Sequence, residues 1–213
     1  MPLFQPILAG ANLRDRLLAG LGAAAGILVT GIVSALVTGG AWPLLVAPIG
    51  ASAVLVFAVP ASPLAQPWPV IGGNMLSAGF GVAVAAFIPN GALAAAIAVG
   101  GAIMLMSLAR CLHPPGGAAA LSAVLLAGTG HLGWLFPFVP VGINSLLLVG
   151  LGIGFHRWTR HPYPHHAPAA RPIPGFTPAD IDSALADMGE TFDIAREDLD
   201  ALLARAAEHA RRR

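Results

Sequence analysis

Along most of this chain the apolar residues neither alternate nor recur every third or fourth position; they run on, interrupted by glycine, proline and a few polar side chains. Six such runs can be drawn: Leu17–Val37, Trp42–Val59 with Pro48 inside it, Val70–Ile88 and Ala92–Leu112. The fifth opens on His113-Pro114-Pro115-Gly116-Gly117 and continues to Ala127, and the sixth is Val139–Trp158. An apolar helix of roughly 20 residues spans the hydrocarbon layer, so the runs predict membrane helices. The connectors Gly39-Gly40, Ala61–Pro69, Pro89-Asn90-Gly91 and Gly128–Gly133 are short, which makes neighbouring segments antiparallel. Beyond Gly175 the pattern changes to a helical period. Thr177, Pro178 and Asp180 form a capping-box start, Ile181, Leu185 and Met188 share a face, and Gly189 ends the helix. A second helix is expected from Asp193 as its cap, with Leu199, Leu202, Leu203 and Ala206 as its apolar stripe.

Composition sharpens this into an all-α membrane protein. Hydrophobic residues make up 56% of the 213 and charged residues only 10%, where soluble domains carry about 25%. Between Leu17 and Phe155 the only charged side chain is Arg110, and nine of the ten acids lie between Asp180 and Glu208. A soluble surface cannot be built from such a stretch. The expected organisation is a cytoplasmic N-terminus (1–16), a transmembrane domain (17–160), a Pro/His-rich linker (161–175) and an amphipathic helical tail (176–213). All eleven basic residues are arginine, without a patch that suggests nucleic acid. Arg14 and Arg16 precede the first segment, and Arg157, Arg160 and Arg171 follow the last. Basic flanks mark cytoplasmic ends, so both termini are expected there, in the cell's inner (plasma) membrane, with six crossings or four plus two re-entrant segments. Trp42, Trp68, Trp134 and Trp158 fall at segment ends, where interfacial tryptophan belongs.

The halves resemble each other. Pro48-Ile49-Gly50-Ala51-Ser52-Ala53 opens the apolar part of segment two, and Pro115-Gly116-Gly117-Ala118-Ala119-Ala120 does so in segment five, 67 positions later. Ile71-Gly72-Gly73-Asn74 is followed at an offset of 70 by Val141-Gly142-Ile143-Asn144. Three segments per half make the halves insert in opposite directions, an inverted repeat typical of transporters and channels. The two Pro/Gly-broken segments then become half-helices whose N-termini converge near the midplane. Each helix N-terminus carries roughly half a positive charge and unpaired N–H groups, a ready anion site. The expected substrate-binding residues are Pro48, Gly50, Ala51, Ser52, Asn74, Arg110, His113, Pro114, Pro115, Gly116, Gly117, Ala118 and Asn144. Gly22-x-x-x-Gly26 and Gly150-x-Gly152-x-Gly154 read as close-packing faces, and His161, His165 and His166 as a solvated tract. Small-residue faces also suit a homo-oligomer.

Leu112-His113-Pro114-Pro115-Gly116-Gly117-Ala118 resembles the signature of the HPP family of integral membrane proteins. Ile49-Gly50-Ala51-Ser52-Ala53-Val54-Leu55, Ser62-Pro63-Leu64-Ala65-Gln66-Pro67, Val70-Ile71-Gly72-Gly73, Leu132-Gly133-Trp134 and His161-Pro162-Tyr163-Pro164 are similar to its other blocks, over roughly residues 12–166. The family is usually described with four spans, and some members from photosynthetic organisms are associated with nitrite transport. In longer members a similar acidic segment precedes paired CBS regulatory domains. The resemblance implies a channel or carrier for a small inorganic anion, nitrite or nitrate. A ligand-sensing module that signals through the tail is the alternative. An enzyme is not expected, since no catalytic dyad, cofactor motif or metal-ligand set assembles, and the lack of a phosphate-binding loop excludes ATP-driven transport by this chain alone.

Overall fold

The computed structural model describes residues 13–40, 45–89, 91–127, 133–166, 177–189 and 192–212, all helical or connecting, with no strand among them. Trp42, Asn90, the 128–132 part of the last connector, Arg171 and the rest of 167–176 lie outside the described residues. The elements are α1 (Leu13–Thr38), α2 (Pro48–Ala58), α3 (Asn74–Phe87), α4 (Gly91–Leu108), α5 (Pro114–Leu126), α6 (Ile143–Thr159), α7 (Pro178–Met188) and α8 (Arg196–Arg211).

Among the described residues, four helical stretches are long and apolar enough to cross a bilayer: α1, Pro69–Phe87, α4 and Pro137–Thr159. α3 and α6 reach that length because each is directly preceded by a widened turn, Pro69–Gly73 and Pro137–Gly142. The second of these is broken at Val139, whose extended backbone is what the following Pro140 imposes. α2 and α5 have only 11 and 13 residues. At 1.5 Å per residue they measure roughly 17 and 20 Å, short of the ~30 Å hydrocarbon layer. Both open on proline, which starts a helix without losing a bond it could have made.

α2 lies between α1 and α6, and α5 lies against α3 and α4. On α4 the residues Ala94, Ala98, Ala102 and Met106 are buried, a four-residue repeat that turns one smooth face inward. Its other face exposes Leu93, Ile103, Met104 and Leu108, and α1 likewise exposes Leu17, Leu21, Leu28 and Leu36. Large apolar side chains over the whole outer wall fit lipid, not water. The small-residue faces are partly as expected. Gly22 faces the Phe155 ring, Gly26 faces Phe57 and Gly152 faces Val56, each too closely for a Cβ, while Gly150 and Gly154 meet nothing within 4 Å.

Long-range hydrogen bonds fix which ends lie together. Arg16 donates to the Ala58 carbonyl (2.6 Å), Trp68 to Ala109 (3.1 Å), His156 to Val56 (2.8 Å) and Tyr163 to Ala65 (2.9 Å). The start of α1, the ends of α2, α4 and α6, and the 59–68 connector therefore share one end, called here the basal end.

The tail departs from expectation in its second half. Thr177 and Asp180 do form a capping box, and Gly189 closes α7 in the left-handed region at φ 65°. α8, however, starts after Ala195, not at Asp193. The Asp193 carboxylate instead accepts a bond from Ser62 of the basal connector (2.8 Å). The buried position on α8 is Ala204, and Leu202 of the expected stripe is exposed. Arg196 ties the two tail helices together through Asp182 and the Pro178 carbonyl, both at 2.9 Å, and also pairs with Asp200 within α8.

Candidate functional site

The interior of the bundle holds a connected set of polar side chains. His113 precedes proline and is therefore extended (φ −142°, ψ 106°), which carries its ring away from the start of α5 and into the core. Its Nδ1 lies 2.8 Å from the Leu64 carbonyl. A carbonyl only accepts, so Nδ1 carries the proton. Nε2 lies 2.8 Å from the Ser52 hydroxyl on α2, and in the neutral ring it accepts from it. The Ser52 oxygen also takes a bond from the Asn74 amide nitrogen at 3.1 Å, and that nitrogen reaches Ser145 of α6 at 3.2 Å. Beside this, Asn144 donates to Ser34 of α1 (2.6 Å) and accepts from the Val46 N–H (3.1 Å).

Ser34, Ser52, Asn74, His113, Asn144 and Ser145 are all at most 1% exposed, and they come from α1, α2, α3, α6 and the residue capping α5. Burying that many polar groups away from water is costly unless they pair, and here most do. Among the described residues, three buried oxygens meet no protein partner: Asn74 Oδ1, Ser77 Oγ and Thr30 Oγ1. Turning the Asn74 amide over would leave a nitrogen free instead. Either way one polar atom of Asn74 is left over beside Ser52 and His113.

The expected site residues divide. Ser52, Asn74, His113 and Asn144 are brought together in the network. Pro48, Pro115 and Gly116 are buried beside it, and Gly117 is half-buried. Gly50, Ala51, Pro114 and Ala118 face outward. Arg110 is exposed in the turn after α4, in the left-handed region at φ 52°, and lies outside the network.

The free N–H groups expected at the breaks are not there. Pro114 and Pro115 carry no N–H, and that of Gly116 is used on the His113 carbonyl (2.8 Å). At α2, Ile49 and Gly50 donate to Val46 and Ala47 (2.9 and 3.1 Å). The glycines serve contact instead. A Cβ on Gly116 would lie 2.8 Å from the Ser77 oxygen and 2.9 Å from the Gly73 carbonyl, and one on Gly73 would lie 2.6 Å from the His113 Cβ. They let α5 and α3 cross closely enough for His113 to enter the core. Ser34, Ser145 and the Leu64 carbonyl were not foreseen. Serine is ordinary in apolar helices, and a backbone acceptor leaves no mark in a sequence.

His165, expected in a solvated tract, is half-buried and pairs with both Asp198 oxygens at 2.9 Å. Its backbone N–H donates to Gln66 (2.8 Å). The basal connector thus touches the tail through Ser62, the linker residue His165 through Gln66, and the interior network through Leu64.

A profile of the HPP transmembrane region matches residues 9–164. Two transmembrane proteins of Dictyostelium discoideum are each 43% identical to the chain. The first match runs over 109 residues, 49% of this chain and 38% of that protein; the second runs over 103 residues, 46% and 33%. The chain thus spans little more than a third of these relatives' own length. No solved structure matches it.

Proposed function

The chain belongs to the HPP family of transmembrane proteins and is a multi-pass integral membrane protein, and from that premise we propose that it is a carrier or channel for a small inorganic anion, nitrite or nitrate. The observation that carries this reading is the meeting of Ser52, on the second turn of α2, with His113, the cap of α5, inside a buried polar network. Two short helices whose positive ends converge in the core are a feature that a purely structural bundle has no need of.

An inverted repeat is part of the same proposal. Each short helix packs on the first helix of its own half and the last helix of the other: α2 on α1 and α6, α5 on α4 and α3. Each third helix follows a proline-bearing widened turn and brings a buried asparagine, Asn74 or Asn144, to the centre. This exchange supports two halves related by an axis in the membrane plane. The basal end, which gathers the basic flanks of α1 and α6, is assigned to the cytoplasm.

Because the network residues are fully buried, passage requires α2 or α5 to move, which favours a carrier cycle over an open pore. The test is anion uptake into proteoliposomes holding the purified protein. Nitrite or nitrate flux above that of empty vesicles is expected, reduced about tenfold or more in Ser52→Ala, since each lost hydrogen bond of a buried network is worth 1–3 kcal/mol. Absence of flux for both anions would sink the proposal. For topology, single cysteines at Ala61 and His166 should label from one face of the membrane and one at Phe87 from the other. Labelling of Ala61 and Phe87 from the same face overturns the arrangement.

The contact of Ser62 with the tail, and that of Gln66 with His165, which pairs with Asp198 of α8, favour a second reading, a sensing module that reports through α7 and α8. Specific anion binding without flux would select it.

A further inference from the structure

At the basal end, away from the interior network, a cavity of about 210 Å³ opens between α1, α2 and α6. Arg16, Phe57, Phe155, His156 and Thr159 are among its lining residues. Two of these keep a buried nitrogen that meets no protein partner: Arg16 Nε and His156 Nδ1. His156 is only 2% exposed, so water does not satisfy that atom from outside.

The chemistry of the two orphans is complementary. Arg16 is fixed by its Nη1 bond to the Ala58 carbonyl, and its Nε–H can only donate. His156 Nε2 faces the Val56 carbonyl at 2.8 Å and must donate there. In the neutral ring Nδ1 is then an acceptor. A molecule that satisfies both must bring an acceptor oxygen to Arg16 and a proton to His156. We propose that this cavity binds a small weak oxoacid, held as its anion together with one proton shared with His156. The proton leaves the acid O–H for Nδ1, and the anion keeps the electron pair and faces both Arg16 and the imidazolium. Phe57 and Phe155 line its apolar side. The other groups that carry or change charge around His156 are Asp15 from α1 and His161 and Tyr163 from the turn after α6, while α2 brings none. This site is separate from the His113 network, and its occupancy is an equilibrium property independent of transport.

The probes are sodium formate and sodium nitrite, titrated calorimetrically into the full chain in lipid nanodiscs, in two buffers of different ionisation enthalpy. Saturable binding is expected, with uptake of about one proton per anion and an apparent Kd that rises about tenfold per pH unit wherever free His156 is neutral. Arg16→Lys keeps the charge but removes the Nε–H, and should weaken binding at least tenfold. His156→Gln keeps a donor for Val56 and should abolish the proton uptake. Non-saturable binding overturns the proposal, as does binding without proton uptake or binding unchanged in both variants. Chloride competing as well as formate overturns the oxoacid class. Vesicle flux is measured separately, so loss of this site and failure of the transport reading are told apart.

Discussion

At the residue scale the centre of the molecule is a matter of where single protons go. Ser52 has one hydroxyl proton and two acceptors in reach, His113 Nε2 at 2.8 Å and the Pro48 carbonyl at 3.2 Å. When it goes to His113, Nε2 accepts it; when it turns to Pro48, Nε2 is left without that donor. The two residues therefore act as one unit. Ser52→Ala and His113→Ala should each lower stability, and the double variant should lose less than the two together, with a coupling of about 0.5–3 kcal/mol in chemical denaturation from detergent. Strict additivity would separate them. Asn74→Ala should cost about 1–3 kcal/mol, because it strips the donor shared by Ser52 and Ser145. Of this site the sequence made Ser52, Asn74, His113 and Asn144 legible, since polar residues are scarce in apolar runs and stand out. The breaks are less legible, because glycine after proline suits an open N–H cradle and a close helix contact alike. Gly73 and Gly116 are what two helices need in order to touch, and spacing alone cannot distinguish these uses.

At the scale of elements, that close crossing gives a sharp expectation. Gly116→Ala places a methyl group against Ser77 and the Gly73 backbone, so α3 and α5 must part. A loss of about 1–3 kcal/mol is expected, seen as a lower midpoint in thermal unfolding. Gly50→Ala, where nothing lies within 4 Å, serves as the control that should not fall. In the tail, the Asp180 carboxyl is held below the usual carboxylate range first by the Thr177 backbone N–H and then by its hydroxyl, both at 2.7 Å. A group depressed on folding stabilises its helix above the ordinary carboxylate value and loses that contribution as pH falls through its lowered value. The amides at the start of α7 should thus lose protection, measured against the intrinsic exchange rate at each pH, with acidification below the carboxylate range, and Asp180→Asn should remove the dependence. The start of α7 was fully legible, because a capping box is local. The start of α8 was not, because Asp193 answers to Ser62, a partner 131 positions away.

For the whole molecule, the basal connector is where distant parts of the chain are joined. Ser62 meets the tail, Leu64 meets His113, Ala65 meets Tyr163 and Gln66 meets His165. Displacing the tail therefore bears on the interior through a few peptide units. Asp193→Ala combined with Asp198→Ala should speed proteolysis between 177 and 212 and also alter the imidazole NMR signal of His113. A faster cleavage with an unmoved His113 signal would show that the two ends of the connector are independent. The membrane character and the number of apolar segments were legible because composition is a global property. The length of α2 and α5 was legible only through their prolines, and the docking of the tail not at all, because it rests on side chains that are commonplace on any solvated surface.

The paired prolines at the start of α5 have one more consequence. They remove the donors from a helix end without removing its aligned dipoles, so this end attracts negative charge from a distance yet offers it nothing to grip. A passing ion would be drawn in by potential and released without breaking a set of short bonds. In the proposed transport role, such a site would trade residence time for turnover and discriminate by charge and diameter far better than by shape.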